Sequence, residues 1–114
     1  MPNMGFRVEL TARGEETYYN CLEYLLYYVG GTGNYQAAKN FILGYEKLLD
    51  LLEYNADGYA ILENLGLKNS DYHRIHFEHM SYKIIYHIDK DVVFVDAILH
   101  DRQSIGRALG LKTS

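Results

Sequence analysis

The sequence predicts an α+β domain with the element order β-α-α-β-β-β, an N-terminal helical hairpin packed on one face of an antiparallel sheet. Three observations carry this expectation. From Tyr72 to Arg102 the runs YHRIHF, YKIIYHI and VVFVDAILHDR are rich in β-branched and aromatic residues and are parted by the short polar stretches EHMS and DKD, the pattern of an antiparallel meander. Ahead of it, two apolar stripes recur at helical spacing. One runs through Tyr18, Leu22, Leu25, Leu26 and Val29, the other through Ala38, Phe41, Ile42, Tyr45, Leu48, Leu49 and Leu52. The length, 114 residues, suits one domain, 1–114, with a single core.

The elements follow in order. Phe6-Arg7-Val8-Glu9-Leu10 alternates and reads as a short strand with Phe6, Val8 and Leu10 inward. Thr11 is placed to cap the first helix, whose early Glu15 and Glu16 suit its positive end and which should run to about Val29. Gly30-Gly31-Thr32-Gly33-Asn34 stops it. A phosphate loop would need a Gly-Lys-Ser/Thr ending and a preceding apolar strand, so this run is read as the turn of a helical hairpin. Asn34 caps the second helix, which reaches about Glu53. Residues 54–71 carry Asn, Asp, Gly and Ser at close intervals and read as an irregular connection with a helical turn around Ile61 to Leu65. After the meander, Gln103 to Leu109 forms a short terminal helix.

Composition narrows the function classes. The single cysteine, Cys21, excludes an internal disulfide framework and fits a reducing compartment, with burial in a helix face as its expected role. No apolar run has the length of a membrane span and the N-terminus lacks a secretory pattern, so a cytoplasmic protein without membrane contact is expected. The net charge of −4 argues against a broad nucleic-acid grip, because phosphate contacts call for a basic excess. Any cationic surface must be local. Residues 71–114 balance six Lys/Arg with six Asp/Glu and hold all five histidines, so it should lie in the meander. The twelve tyrosines are read as boundary packing around the helices, with a partner surface as the alternative.

Strand parity assigns the faces, since successive side chains point to opposite sides. Ile75, Phe77, Ile84, Tyr86, Ile88, Val93, Val95, Ala97 and Leu99 should face the helices, leaving Arg74, His76, Lys83, Ile85, His87, Asp96, Ile98, His100 and Arg102 on the far side. Arg74, His76, Lys83, His100 and Arg102 are the candidate catalytic residues. Cleavage of RNA by its own 2′-hydroxyl needs a base, an acid and cations facing the phosphate charge, roles that His, Lys and Arg fill without a metal or cofactor. A solvated sheet face carrying the same residues is the plainer reading of their types alone. His73, His76 and His79 are three apart, which in a strand sends neighbours to opposite faces, so no metal site is expected. Cys21 and the histidines form no nucleophile motif of the Gly-x-Ser-x-Gly kind.

The order of elements, with VELTARGEE, NYQAAKNFI, YEKLLDLL, YKIIYHI and AILHDRQSI at their spacing, resembles the RelE/ParE toxin superfamily of bacterial type II toxin-antitoxin modules over nearly the whole chain. In the RelE branch the resemblance implies cleavage of messenger RNA in the ribosomal A site. Arg74 and His76 match places where that branch carries lysines, Lys83 matches an arginine, and Arg102 matches an arginine closing the last strand. Ala108 falls where a tyrosine or histidine often stands, and His100 is the candidate substitute. In the ParE branch the implied target is DNA gyrase and no catalytic set is required. A third reading is a toxin-like binding module without toxicity. Either way the resemblance implies a cognate antitoxin whose disordered segment folds across this chain, together with the ribosome and mRNA or, alternatively, gyrase.

Overall fold

The computed structural model describes residues 5–27, 34–59, 61 and 72–110. Their order is β1 (Arg7–Leu10), α1 (Ala12–Tyr27), α2 (Asn34–Asn55), a 3₁₀ turn at Ala56–Gly58, β2 (Tyr72–His76), β3 (Tyr82–Asp89), β4 (Val92–His100) and α3 (Ile105–Ala108). The α+β architecture is as expected, with α1 and α2 packed on a four-stranded sheet of order β1-β4-β3-β2. The expected glycine turn and the end of the first helix at Val29 lie outside the described residues. So does the helical turn near residue 65, although Ile61 itself forms an antiparallel bridge with His73. No helix among the described residues is long and apolar enough to cross a membrane.

The meander β2-β3-β4 is antiparallel, but β1 joins β4 in parallel, pairing Arg7–Leu10 with Val92–Val95. The sheet is therefore mixed, because the helical hairpin carries the chain back to the end of the sheet from which β1 started. Phe6 and Val8 pack on the core as expected, whereas Leu10 is exposed. Thr11 caps α1 as its position predicts: its hydroxyl accepts from the Gly14 amide at 3.0 Å and donates to the Val95 carbonyl at 3.1 Å. The first turn of α1 thus lies directly on β4, an approach that Gly14 permits, since a Cβ there would collide with the Val95 carbonyl.

The stripe of α2 does what its spacing implies. Ala38, Phe41, Tyr45, Leu48 and Leu52 are buried against Ile75, Phe77, Tyr82, Ile84, Tyr86, Val93 and Val95, with Phe41 stacked on Phe77 at 5.2 Å between ring centres. Parity holds along β2 and β3. It fails in β4, where Tyr86 pairs with Val95 but Ile85 pairs with Ala97, leaving Asp96 as an extra, unpaired residue. This β-bulge reverses the alternation from Ala97 onward. Ile98 joins the helix-side core. Ala97 and Leu99, expected there, instead form a second cluster with Ile85 and Leu109, flanked by Tyr72, Ile105 and Ala108. The far face is thus partly covered by α3, which Ser104 caps by accepting from the Arg107 amide.

Candidate functional site

The bulge divides the five candidate catalytic residues. Arg74, His76 and Lys83 point away from the helices, because Arg74 pairs with Ile85 and His76 with Lys83 in the β2–β3 register. His100 pairs with Tyr82 and meets its ring edge-on at 5.2 Å, and so lies on the helix side. Arg102, in the turn after β4, lines with His100 a cleft of about 650 Å³ whose other wall is Thr17, Asn20 and Tyr24 of α1. Two of the five therefore stand across the sheet from the other three. The parity expectation for His100 is corrected by one inserted residue.

On the far face two of the three remaining groups, Lys83 and His76, meet at Asp101, with Arg74 beside Lys83. Lys83 is buried, its ammonium donates to the Asp101 carbonyl at 3.3 Å, and the Asp101 carboxylate lies 3.9 Å away. His76 Nδ1 is 3.5 Å from the same carboxylate. Burial lowers the pKa of Lys83 from the ordinary lysine value and neighbouring Arg74 lowers it further, while the Asp101 carboxylate opposes both. Cations in a partly desolvated setting act more strongly than in water, so a buried lysine with a neighbouring guanidinium and a half-exposed imidazole has the chemistry to face an anion.

A second pair lies on the same face. His87 and Asp96 were both assigned to it by parity, but their contact is legible only in three dimensions. His87 Nδ1 and Asp96 Oδ2 are 2.6 Å apart, and an ionised carboxylate can only accept, so Nδ1 carries the proton and, in the neutral imidazole, Nε2 the lone pair. Asp96 is buried at the bulge. Burial raises its pKa above the ordinary carboxylate value, opposed by the bond from His87 and by Arg13 of α1. The His87 ring lies over Phe94 at 5.2 Å and is met edge-on by Tyr72 at 5.9 Å, so the three rings form a row across β2, β3 and β4. The missed signal was the β-bulge itself, which nothing local in VDAIL announces.

The other histidines have separate surroundings. His73 faces the helix side, stacked on Tyr86 at 5.1 Å with Nδ1 3.0 Å from the Tyr59 carbonyl oxygen, and His79 is exposed beside Glu78. Among the described residues no three His, Cys, Asp or Glu side chains come together as metal ligands. Cys21 is buried on α1 as expected. Its thiol donates to the Ile98 carbonyl at 3.3 Å, and burial pushes its pKa up to about 12, which removes it as a nucleophile at neutral pH.

These features define a small α+β fold with a sheet face that carries cations and imidazoles beside a short C-terminal helix. Among solved structures the fold is similar to a chain from the chromosomal ParDE TA system from P. aeruginosa, with a TM-score of 0.62 and 8% sequence identity over 85% of this chain and 97% of that one. At that identity the likeness is one of fold. No protein-family model matches the chain, and no curated protein matches it.

Proposed function

We propose that this protein is the toxin of a bacterial type II toxin-antitoxin pair, and that it acts by cleaving messenger RNA, without a metal, on the far face of its sheet. The toxin reading is supported by the fold shared with a chain of a ParDE system over 85% of this chain and 97% of that one, together with the RelE/ParE-like order of sequence segments. The observation that carries the chemistry is that Arg74, His76 and Lys83 share one face, with His76 and Lys83 meeting at Asp101. Arg74 and Lys83 would face the phosphate charge that grows in the transition state, and His76 would exchange a proton with a ribose oxygen. His100 and Arg102, across the sheet, are left out of that set.

The ParDE likeness also favours a second reading, a protein inhibitor of DNA gyrase of the ParE kind, which the net charge of −4 suits. One experiment separates the two. The chain is induced without an antitoxin while translation, transcript 5′ ends and plasmid supercoiling are followed in parallel. The RNA reading expects new 5′ ends inside translated messages and a fall in protein synthesis, both reduced by one to several orders of magnitude in Arg74→Ala, as loss of transition-state charge stabilisation entails. Intact transcripts with lost supercoiling would establish the gyrase reading instead.

A further inference from the structure

We propose that His87 is the proton-accepting catalytic residue of this face and that Asp96 is the residue that positions it, an inference that rests on the RNA-cleavage reading above. Among the described residues the far face otherwise offers His76 as its one imidazole, whereas attack by a 2′-hydroxyl and departure of a 5′-oxygen need one group for each proton. The sheet supplies the second. Tyr72 pairs with His87 and Arg74 with Ile85, so Arg74 is a diagonal neighbour of His87, at the about 7–8 Å typical of such pairs. His76 is two residues beyond Arg74 on the same strand and the same face. In the register the position of Arg74 therefore falls between those of the two histidines, the order in which a phosphate, its attacking oxygen and its leaving oxygen would be met.

The two imidazoles are held differently. His76 is a half-exposed group with a 3.5 Å contact to Asp101. His87 is fixed by a 2.6 Å bond to a buried carboxylate, by Phe94 beneath its ring and by the Tyr72 edge, yet its side chain remains 38% exposed. A carboxylate on Nδ1–H sets the tautomer that presents a lone pair at Nε2 and faces the positive charge that appears when Nε2 takes a proton. A β-bulge that turns two successive residues to one face is a means of aiming such a group. Among the described residues the charged or titratable groups around it are Asp96 from β4, Tyr72 and the diagonal neighbour Arg74 from β2 and, through Asp96, Arg13 from α1.

In the step this assigns, the ribose 2′-hydroxyl gives its proton to His87 Nε2 as its oxygen attacks the adjacent phosphorus. The O2′–P bond forms, the P–O5′ bond breaks, and the departing 5′-oxygen takes a proton from the His76 imidazolium. The products are a 2′,3′-cyclic phosphate and a 5′-hydroxyl, with the two histidines returned to their starting states by exchange with water. The ligand class is single-stranded RNA, because the reaction uses the 2′-hydroxyl.

The test uses the full chain, ribosomes carrying a defined message and a single-stranded oligoribonucleotide. His87→Ala should lower the single-turnover cleavage rate by about 10²–10⁴-fold, the range for loss of a general base, while binding of an RNA with a 2′-deoxy residue at the cleaved position is unchanged. Asp96→Asn should slow cleavage and displace the acidic limb of the pH–rate profile. If wild type cleaves RNA and His87→Ala cleaves as fast, the dyad is outside the reaction although the RNA reading stands. Wild type that spares RNA and blocks supercoiling removes that reading and this role together. A uniform loss at every pH in Asp96→Asn makes Asp96 a fold support only. Imidazole ¹⁵N spectra of the wild type guard against a misfolded variant: His87 must show Nδ1–H and an unprotonated Nε2, and the opposite tautomer overturns the proposal.

Discussion

The Thr17 hydroxyl accepts from the Ile98 amide at 2.9 Å, a residue 81 positions later in the chain. β1 pairs with β4 only through Val95, so beyond the bulge the outer edge of β4 has no strand beside it. Helix α1 takes the strand's place: Thr17 satisfies the Ile98 N–H and the Cys21 thiol its carbonyl. An unpaired sheet edge is a site of aggregation, and here a helix covers it with two side chains of the right chemistry.

Replacing Thr17 by Val keeps the shape and removes the acceptor. The Ile98 amide is then left without a partner, at a cost of about 1–3 kcal/mol, whereas Thr17→Ser should lose much less. Urea unfolding of the two variants checks this, and equal midpoints would mean that water reaches the Ile98 amide.

Gly14 reverses an ordinary rule. In an open helix, Gly→Ala gains about 1 kcal/mol through backbone entropy. Here the new Cβ meets the Val95 carbonyl, and α1 must shift away from β4. Gly14→Ala should therefore destabilise, by about 1–3 kcal/mol as for other overpacked sites, read as a lowered thermal midpoint.

Buried tyrosines set an alkaline limit. Burial pushes Tyr82 up to about 12 and raises Tyr45 and Tyr86 as well. A folded-state pKa above the unfolded value means that the folded chain holds the phenolic proton more tightly. The stabilisation is complete below about pH 10, the ordinary tyrosine value, and is lost as pH rises through the folded value. Unfolding free energy should be flat from this source up to about pH 9 and fall steeply above pH 10, with tyrosinate absorbance rising in step with unfolding.

Asp96 separates stability from activity. Burial raises its pKa in the fold, so the stability it contributes is present below the ordinary carboxylate range and lost as pH rises through the folded value. At neutral pH the ionised carboxylate is a net cost. Asp96→Asn should therefore melt at the wild-type temperature or above it at pH 7, with the difference shrinking towards about pH 3, where both residues are neutral. A variant that is no less stable yet slower in RNA cleavage cannot owe its defect to unfolding.

The α2 stripe from Ala38 to Leu52 and the two faces of β2 and β3 were readable because neighbours in the chain define them. Thr11 was identified as a cap from its type and place, and it caps. His100 and Ile98 were assigned to the wrong faces, and Ala97 and Leu99 with them, because a single residue without a partner at Asp96 moves everything beyond it by one. The same residue brings a carboxylate onto His87. The candidate site was thus half legible: Arg74, His76 and Lys83 share a face as parity implies, while His100 and Arg102 belong to a different cleft.

Periodicity settled which stretches are helix and which are strand, and most of the core, since repeats of 3.6 and 2 follow from backbone geometry that every residue carries with it. Folding in three dimensions settled the parallel entry of β1, the cover that α3 lays over Ile85 and Leu99, and the partners of each imidazole. Those features depend on register and on contacts between residues far apart in the chain. Shifting a strand by one position costs nothing in composition, yet it sends every later side chain to the opposite side of the sheet.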